Sequence, residues 1–272
     1  MIPILAQRFL NRPLALQQDH AAVVLEMLRG RADVAPLMPA AIVSAIDVVS
    51  RPYEVVNGIA IVPIWGVLVH DACWFWDETA YSRIISTMLE ALDDPDVSAI
   101  ALHVNSPGGE VSGCFDAAEA IFQMRGVKPI WAILDDCAYS AAYALASAAD
   151  TIIVPRTGGT GSIGVIALRV DVTGMLEQAG MKVTTIKFGS RKDDSYPTTT
   201  LSDEALGRMQ QQIDVMGEMF VELVARNRKT TPDKIRETEA GTFLGAAGVE
   251  NGLADMVLAP DAAFVALMES IA

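Results

Sequence analysis

The sequence predicts an α/β fold built on a largely parallel sheet. Three observations point there. From Tyr53 onward, short runs of β-branched residues alternate with stretches of helical periodicity. The run SAIALHV (98–104) is almost wholly apolar, as strands buried on both faces are. Successive strand signals are separated by helical crossovers rather than hairpin turns, which argues for parallel neighbours.

The elements follow in order. GIAIVPIWGVLV (58–69) reads as one bent strand or two. Ile84, Ile85, Met88, Leu89 and Leu92 recur at helical spacing. SAIALHV is the next strand; it ends at a turn, NSPGG, and a helix runs from about Val111 to Met124. The pattern repeats with KPIWAIL (128–134) as strand and SAAYALASAA (140–149) as helix. TIIVP (151–155) and SIGVIALRV (162–170) are strands, a helix near 173–179 follows, and KVTTIKF (182–188) is a further strand. Leu206, Met209, Ile213, Met216, Phe220 and Leu223 share one face of a helix over about 203–227. Thr231-Pro232 opens another, because proline suits the first helical position.

Residues 1–54 are different in character. Two short helices are expected around 19–29 and 37–49, punctuated by Pro36, Pro39 and Pro52. This segment reads as an N-terminal helical arm, and residues 55–272 as the main domain. The arm's apolar residues need a surface, either the main domain or another subunit.

Bulk properties narrow the function. A formal net charge of −14 disfavours nucleic acid, since phosphate binding needs clustered Lys and Arg. Cys73, Cys114 and Cys137 form neither a disulfide framework nor a zinc pattern, and read as reduced packing thiols. No metal or cofactor is therefore expected. No run approaches the ~20 apolar residues of a membrane span. The N-terminus lacks the basic start and long apolar centre of a signal peptide. A cytoplasmic location is the expectation.

Few residues could carry chemistry. In Asn105-Ser106-Pro107-Gly108-Gly109, paired glycines let backbone N–H groups point outward and bind an oxyanion, although taken alone the motif is more simply a tight strand-to-helix turn. Ser140 follows a strand and opens an Ala-rich helix, a place for a nucleophile but, on the residues alone, more simply an ordinary N-cap. The three histidines, His20, His70 and His103, all precede Ser140, and His103 sits inside an apolar strand. That weakens a Ser–His–Asp triad and leaves lysine as the base, which works when burial lowers its pKa. Composition does not choose between Lys187 and Lys192. Gly159-Thr160-Gly161-Ser162-Ile163-Gly164 matches G-x-G-x-x-G, but β-like sequence follows and Thr184 stands where an acidic residue is needed, so a nucleotide site is rejected.

NSPGGEV, YSAAYALASAAD, TGSIGVI, FGSRKDDSYP and GAAGVENGLADMV occur in the order seen in SppA-type serine peptidases, the signal peptide peptidase A family. The match spans about residues 53–260 and most resembles the lambdoid phage head maturation proteases of the gene C type. The resemblance implies a ClpP/crotonase-like fold of repeated ββα units and a homo-oligomer. It implies Ser140 as nucleophile, Lys192 as base, Ser162 as a hydrogen-bond partner of that lysine, and Gly108 or Gly109 with the Ala141 amide as oxyanion hole. Many members carry two glycines after the nucleophile; Ala141 and Ala142 stand here, which keeps the N–H groups but restricts the backbone.

The function implied is a serine endopeptidase acting on capsid scaffold, portal or itself, in the host cytoplasm or procapsid. The alternatives are a bacterial peptidase that degrades signal peptides, a non-hydrolytic crotonase-like acyl-CoA binder, and an assembly protein with a dead site.

Overall fold

The computed structural model describes residues 13–16, 51–71 and 78–272. The helices expected around 19–29 and 37–49 lie outside the described residues. Within the arm, Pro13–Leu16 is a strand, β1.

The next two strands, β2 (Glu54–Val56) and β3 (Ile59–Val69), form an antiparallel hairpin. Its two-residue turn is Asn57-Gly58, both at positive φ (50° and 78°), the geometry for which Asn-Gly is the favoured pair. Strand β3 is one strand with a register irregularity between Trp65 and Val67, where Gly66 has φ 65°. The short β4 (Thr79–Ala80) pairs with its far end and leads into helix α1 (Tyr81–Asp93).

Strand β5 (Ala99–Glu110), helix α2 (Cys114–Gln123), strand β6 (Ile130–Tyr139), helix α3 (Ala141–Ser147) and strand β7 (Thr151–Val154) complete the parallel centre, with β3, β5, β6 and β7 side by side. The α/β class expected from the sequence is the class found. NSPGG is not a turn, however. It is the final stretch of β5, and the irregularity between Val104 and Ser106 accommodates it within the sheet. Likewise β6 runs on through DDCAY to the residue before Ser140.

These strand extensions carry a second set of partners. Strand β8 (Gly159–Gly161) pairs with the end of β6. The end of β5 pairs antiparallel with β1, and β1 pairs antiparallel with β9 (Ile166–Ala167). Helix α4 (Thr173–Gln178) follows. The strand expected over 182–188 does not form, and of the one expected over 162–170 only Ile166–Ala167 is extended in a ladder. Alternating apolar residues in 182–188 met the strand pattern, but among the described residues no neighbouring edge receives them.

Helix α5 spans Asp203–Asn227, as its periodicity predicts, and Ser202 caps it by accepting from Ala205 N–H. Thr231 caps α6 (Pro232–Arg236) in the same way. Strand β10 (Thr242–Leu244) pairs with β8, then come α7 (Gly245–Glu250), β11 (Met256–Val257) beside β7, and α8 (Pro260–Ser270).

Both sheet faces are covered, which explains the unbroken apolar runs of the parallel strands. On one face Ile64, Leu102 and Leu134 pack with Met88, Ile121, Leu145 and Phe220. On the other, Ile59, Ala101, Ile133 and Ile153 pack with Ala263 and Leu267 of α8. Each fully buried large aliphatic contributes about 1.5–3 kcal/mol. Polar ties fix the helix that carries Ser140's neighbours. Tyr143 donates to the Leu253 carbonyl at 2.9 Å, and Asn227 donates to the Ser147 hydroxyl at 3.0 Å. Among the described residues, no helix is long and apolar enough to cross a membrane.

Candidate active site

Ser140 sits at the junction of β6 and α3 with φ 53° and ψ −119°, a conformation that costs a non-glycine residue about 1–3 kcal/mol. Its side chain makes no capping hydrogen bond to the helix. The ordinary explanation for a serine at this position, N-capping, is thus not what this serine does. Its hydroxyl instead approaches the Gly164 carbonyl at 3.5 Å, the limit of a hydrogen bond. The residue is held by its backbone: Ser140 N–H donates to Gly161 O at 2.9 Å, and Ser140 O accepts from Ala144 N–H at 3.0 Å.

The end of β5 passes directly beside this turn. Gly108 has φ 105°, and a Cβ there would touch Ser140 Cβ at 3.0 Å. Gly109 has no room for a side chain either, since a Cβ would overlap the Leu68 backbone. Both glycines are therefore required by close approach, a stronger reason than turn chemistry. Gly108 N–H donates to the Ser106 hydroxyl at 3.1 Å, and that hydroxyl donates to Gly66 O at 2.7 Å. The Gly108 amide is thus engaged by Ser106, and Gly109 lies in the β1–β5 ladder opposite Ala15. Ala141 is fully buried, and as the first residue of its helix its N–H has no partner within the helix. Tyr81 donates to Glu110 O at 2.6 Å and locks the end of β5; burial pushes its own phenol well above the ordinary tyrosine range.

Ser162 follows β8 at φ 54°, largely buried, its N–H donating to Gly241 O at 2.8 Å. Ser140 and Ser162 are therefore linked through Gly161, whose carbonyl holds the first and whose successor is the second. The literal G-x-G-x-x-G match lies in β8 and runs toward β9 without the helix a dinucleotide site requires.

The two lysines are in different situations. Lys187 forms an ion pair with the buried Asp193 and donates to Ser190 O at 3.1 Å. Lys192 lies exposed on the turn that begins at Gly189, and no hydrogen bond joins it to Ser140 or Ser162. The structure thus brings Ser140, Gly108, Gly109, Ala141 and the Ser162 strand together, and leaves Lys192 outside that group.

The thiols near the site are packing groups. Cys114 lies under Ala141 O at 3.7 Å, and burial pushes it up to about 12. Burial likewise pushes Cys137, 3.6 Å from Ser106 O, up to about 11. Among the described residues no group of three or more His, Cys, Asp or Glu side chains could hold a metal ion. Sequence reasoning missed two parts of this region: the Ser106 hydroxyl, and β1 beside Gly108 and Gly109. Ser106 was legible only as part of a glycine-rich motif, and the four residues PLAL carried no distinctive signal.

Comparison with known proteins agrees with the motif order. The chain is 41% identical over 212 residues to the "Head-tail preconnector protein GP5" of Enterobacteria phage P21, covering 77% of this chain and 42% of that protein. It is 32% identical over 274 residues to the "Capsid assembly protease C" of Escherichia phage lambda, covering 93% of this chain and 62% of the relative. It is 30% identical over 182 residues to a "Putative signal peptide peptidase SppA" of Enterococcus faecium, covering 65% of this chain and 52% of that protein. The chain thus spans less than two thirds of the length of each of these relatives. The profile of Peptidase family S49 matches residues 123–272, more than half the chain and the part that holds Ser140, Ser162 and Lys192. This protein belongs to peptidase family S49.

Proposed function

We propose that this chain is a serine endopeptidase in which Ser140 is the nucleophile and Lys192 the general base. The observation that carries this reading is the strained, non-capping Ser140, set between the Gly108-Gly109 strand end and the first N–H of a helix. Strain of that kind persists where surrounding structure enforces it, as it does at nucleophiles on strand-to-helix turns. Lys192 takes the Ser140 proton as the hydroxyl adds to a peptide carbonyl. The Gly109 and Ala141 amides hold the oxyanion, at ~3 kcal/mol per donor. Lys192 then protonates the leaving amine, and water hydrolyses the acyl-enzyme. Ser162 orients the lysine.

For this, Lys192 must reach the buried serine, and an approaching surface must shed water from it. The loop that carries it presents Ile186, 97% exposed, and a fully exposed Phe188. Apolar groups of that size are covered in a functional protein by another surface. A second subunit of a homo-oligomer, closing over 183–192, would bury these side chains and desolvate Lys192 together, favouring the neutral amine a base requires.

The substrates proposed are polypeptides of capsid assembly: scaffold, portal or the protease itself, in the host cytoplasm or procapsid. The names of the phage P21 and phage lambda relatives support this context. The decisive experiment incubates the purified protein with a fluorophosphonate probe and with procapsid proteins. Labelling and cleavage that vanish in Ser140→Ala are expected; cleavage that survives Ser140→Ala sinks the assignment.

A further inference from the structure

Strand β1 is out of place for a structural strand. Among the described residues it has no hairpin partner adjacent in sequence, yet the strand is laddered on both sides. On one side Leu14, Ala15 and Leu16 face Glu110, Gly109 and Gly108, and Val111 N–H donates to Pro13 O at 3.4 Å. On the other, Pro13 and Leu14 face Ala167 and Ile166. Remove β1, and the end of β5 and the short β9 become facing free edges two strand spacings apart, roughly 10 Å. That slot fits one extended peptide, which would add as a strand between them.

The occupant sits where a substrate would. The position a Cβ on Gly108 would take collides with the Ala15 carbonyl oxygen and lies 3.0 Å from Ser140 Cβ, so the β1 backbone and the Ser140 side chain flank the same point at Gly108. Ser140 is 1% exposed with β1 in place. The side chains alternate as a strand requires. Leu14 and Leu16 are buried against Val67, Ile166 and Leu168, whereas Ala15 turns the other way into the main core. The space beneath Ala15 is closed by packed core, so a small side chain fits there.

We propose that Pro13–Leu16 is an intramolecular occupant of the peptide-binding groove, which blocks Ser140 until it is displaced. This rests on the serine peptidase reading of the same site.

The test compares three full-length proteins: unmodified, Leu14→Asp and Ala15→Pro. The aspartate puts a charge into the leucine-lined side of the groove. The proline removes a ladder N–H without introducing a charge, so it serves if the aspartate variant fails to fold by circular dichroism. The readout is the rate at which a fluorophosphonate labels Ser140. Displacement of the strand is expected to raise that rate about tenfold or more, a modest shift in the open population. A synthetic peptide with the sequence RPLALQQ is expected to slow labelling of the faster variant, and the same peptide with aspartate in place of both leucines is not. Folded variants that label at the unmodified rate overturn the proposal, as does a faster variant indifferent to RPLALQQ. Labelling absent from all three proteins, with Ser140→Ala giving the same blank, overturns the serine peptidase reading itself, and the two failures are thereby distinguished.

Discussion

Ser140 donates its backbone N–H to the carbonyl oxygen of Gly161 at 2.9 Å, so the strained turn at the end of β6 is anchored to the strand that leads into Ser162. A φ of 53° with ψ of −119° suits glycine far better than serine. Ser140→Gly is therefore expected to abolish peptidase activity and stabilise the fold by about 1 kcal/mol through relief of that strain. Thermal melting beside a cleavage assay checks both halves. A lower melting temperature would show that the turn is not strained.

The lysines separate by environment. Lys192→Ala is expected to remove activity with little change in stability, because Lys192 is exposed. Lys187→Ala is expected to keep activity and lose about 1 kcal/mol, since it strips the partner from buried Asp193. Cleavage assays and denaturant titration on the two variants decide it. The reverse pattern would give the base to Lys187.

Ser106 joins Gly66 O to Gly108 N–H from a fully buried position. Ser106→Ala leaves both backbone groups without that partner and is expected to cost about 1–3 kcal/mol. As Gly109 follows directly, kcat should fall more than KM changes. An unchanged kcat in a destabilised protein would confine Ser106 to a structural role.

Asp94 ties the segment entering β2 to the end of α1. It accepts from Tyr53 at 2.9 Å and pairs with Arg51 at 2.8 Å. The backbone hydrogen bond from Asp96, then the Tyr53 hydroxyl and Arg51, hold its carboxyl below the usual aspartate range, so this contribution is present above the unfolded-state pKa and is lost as pH falls through the depressed one. Burial, then the bond to Asp94, pushes Tyr53 from 10.0 to about 12, so its share is complete below about 10 and lost as pH rises through about 12. Melting temperature against pH should fall at both ends. Asp94→Asn should flatten the acid limb; an unchanged limb in that variant contradicts the assignment.

Cys114 and Cys137, pushed up to about 12 and about 11 by burial, are thiols and not thiolates at neutral pH. A chromogenic disulfide reagent at pH 8 should modify Cys114 only at the rate of unfolding, and the half-buried Cys137 more slowly than a free thiol. Rapid modification of Cys114 in the native protein would mean that the floor beneath Ala141 opens.

Much of the architecture was legible in the sequence because period and capping are local properties. The periodicity of α5, the Thr231-Pro232 start of α6 and the apolar centre of β5 all express the residues' own preferences together with burial on two faces. The motif order selected the family and pointed to Ser140, Ser162 and the paired glycines. The failures share a physical cause. NSPGG has turn composition, but its neighbours' ladders keep it in β5. Residues 182–188 have strand composition, but no edge among the described residues receives them. The sequence by itself determined the α/β class, the family and the residues able to do chemistry. Only the tertiary structure decided that Ser140 is strained and uncapped, that Gly108 is engaged by Ser106, that Lys187 is bound to Asp193, and that Pro13–Leu16 pairs with the Gly108–Glu110 strand end. Each of these depends on contacts between segments far apart in the chain, which local composition does not encode.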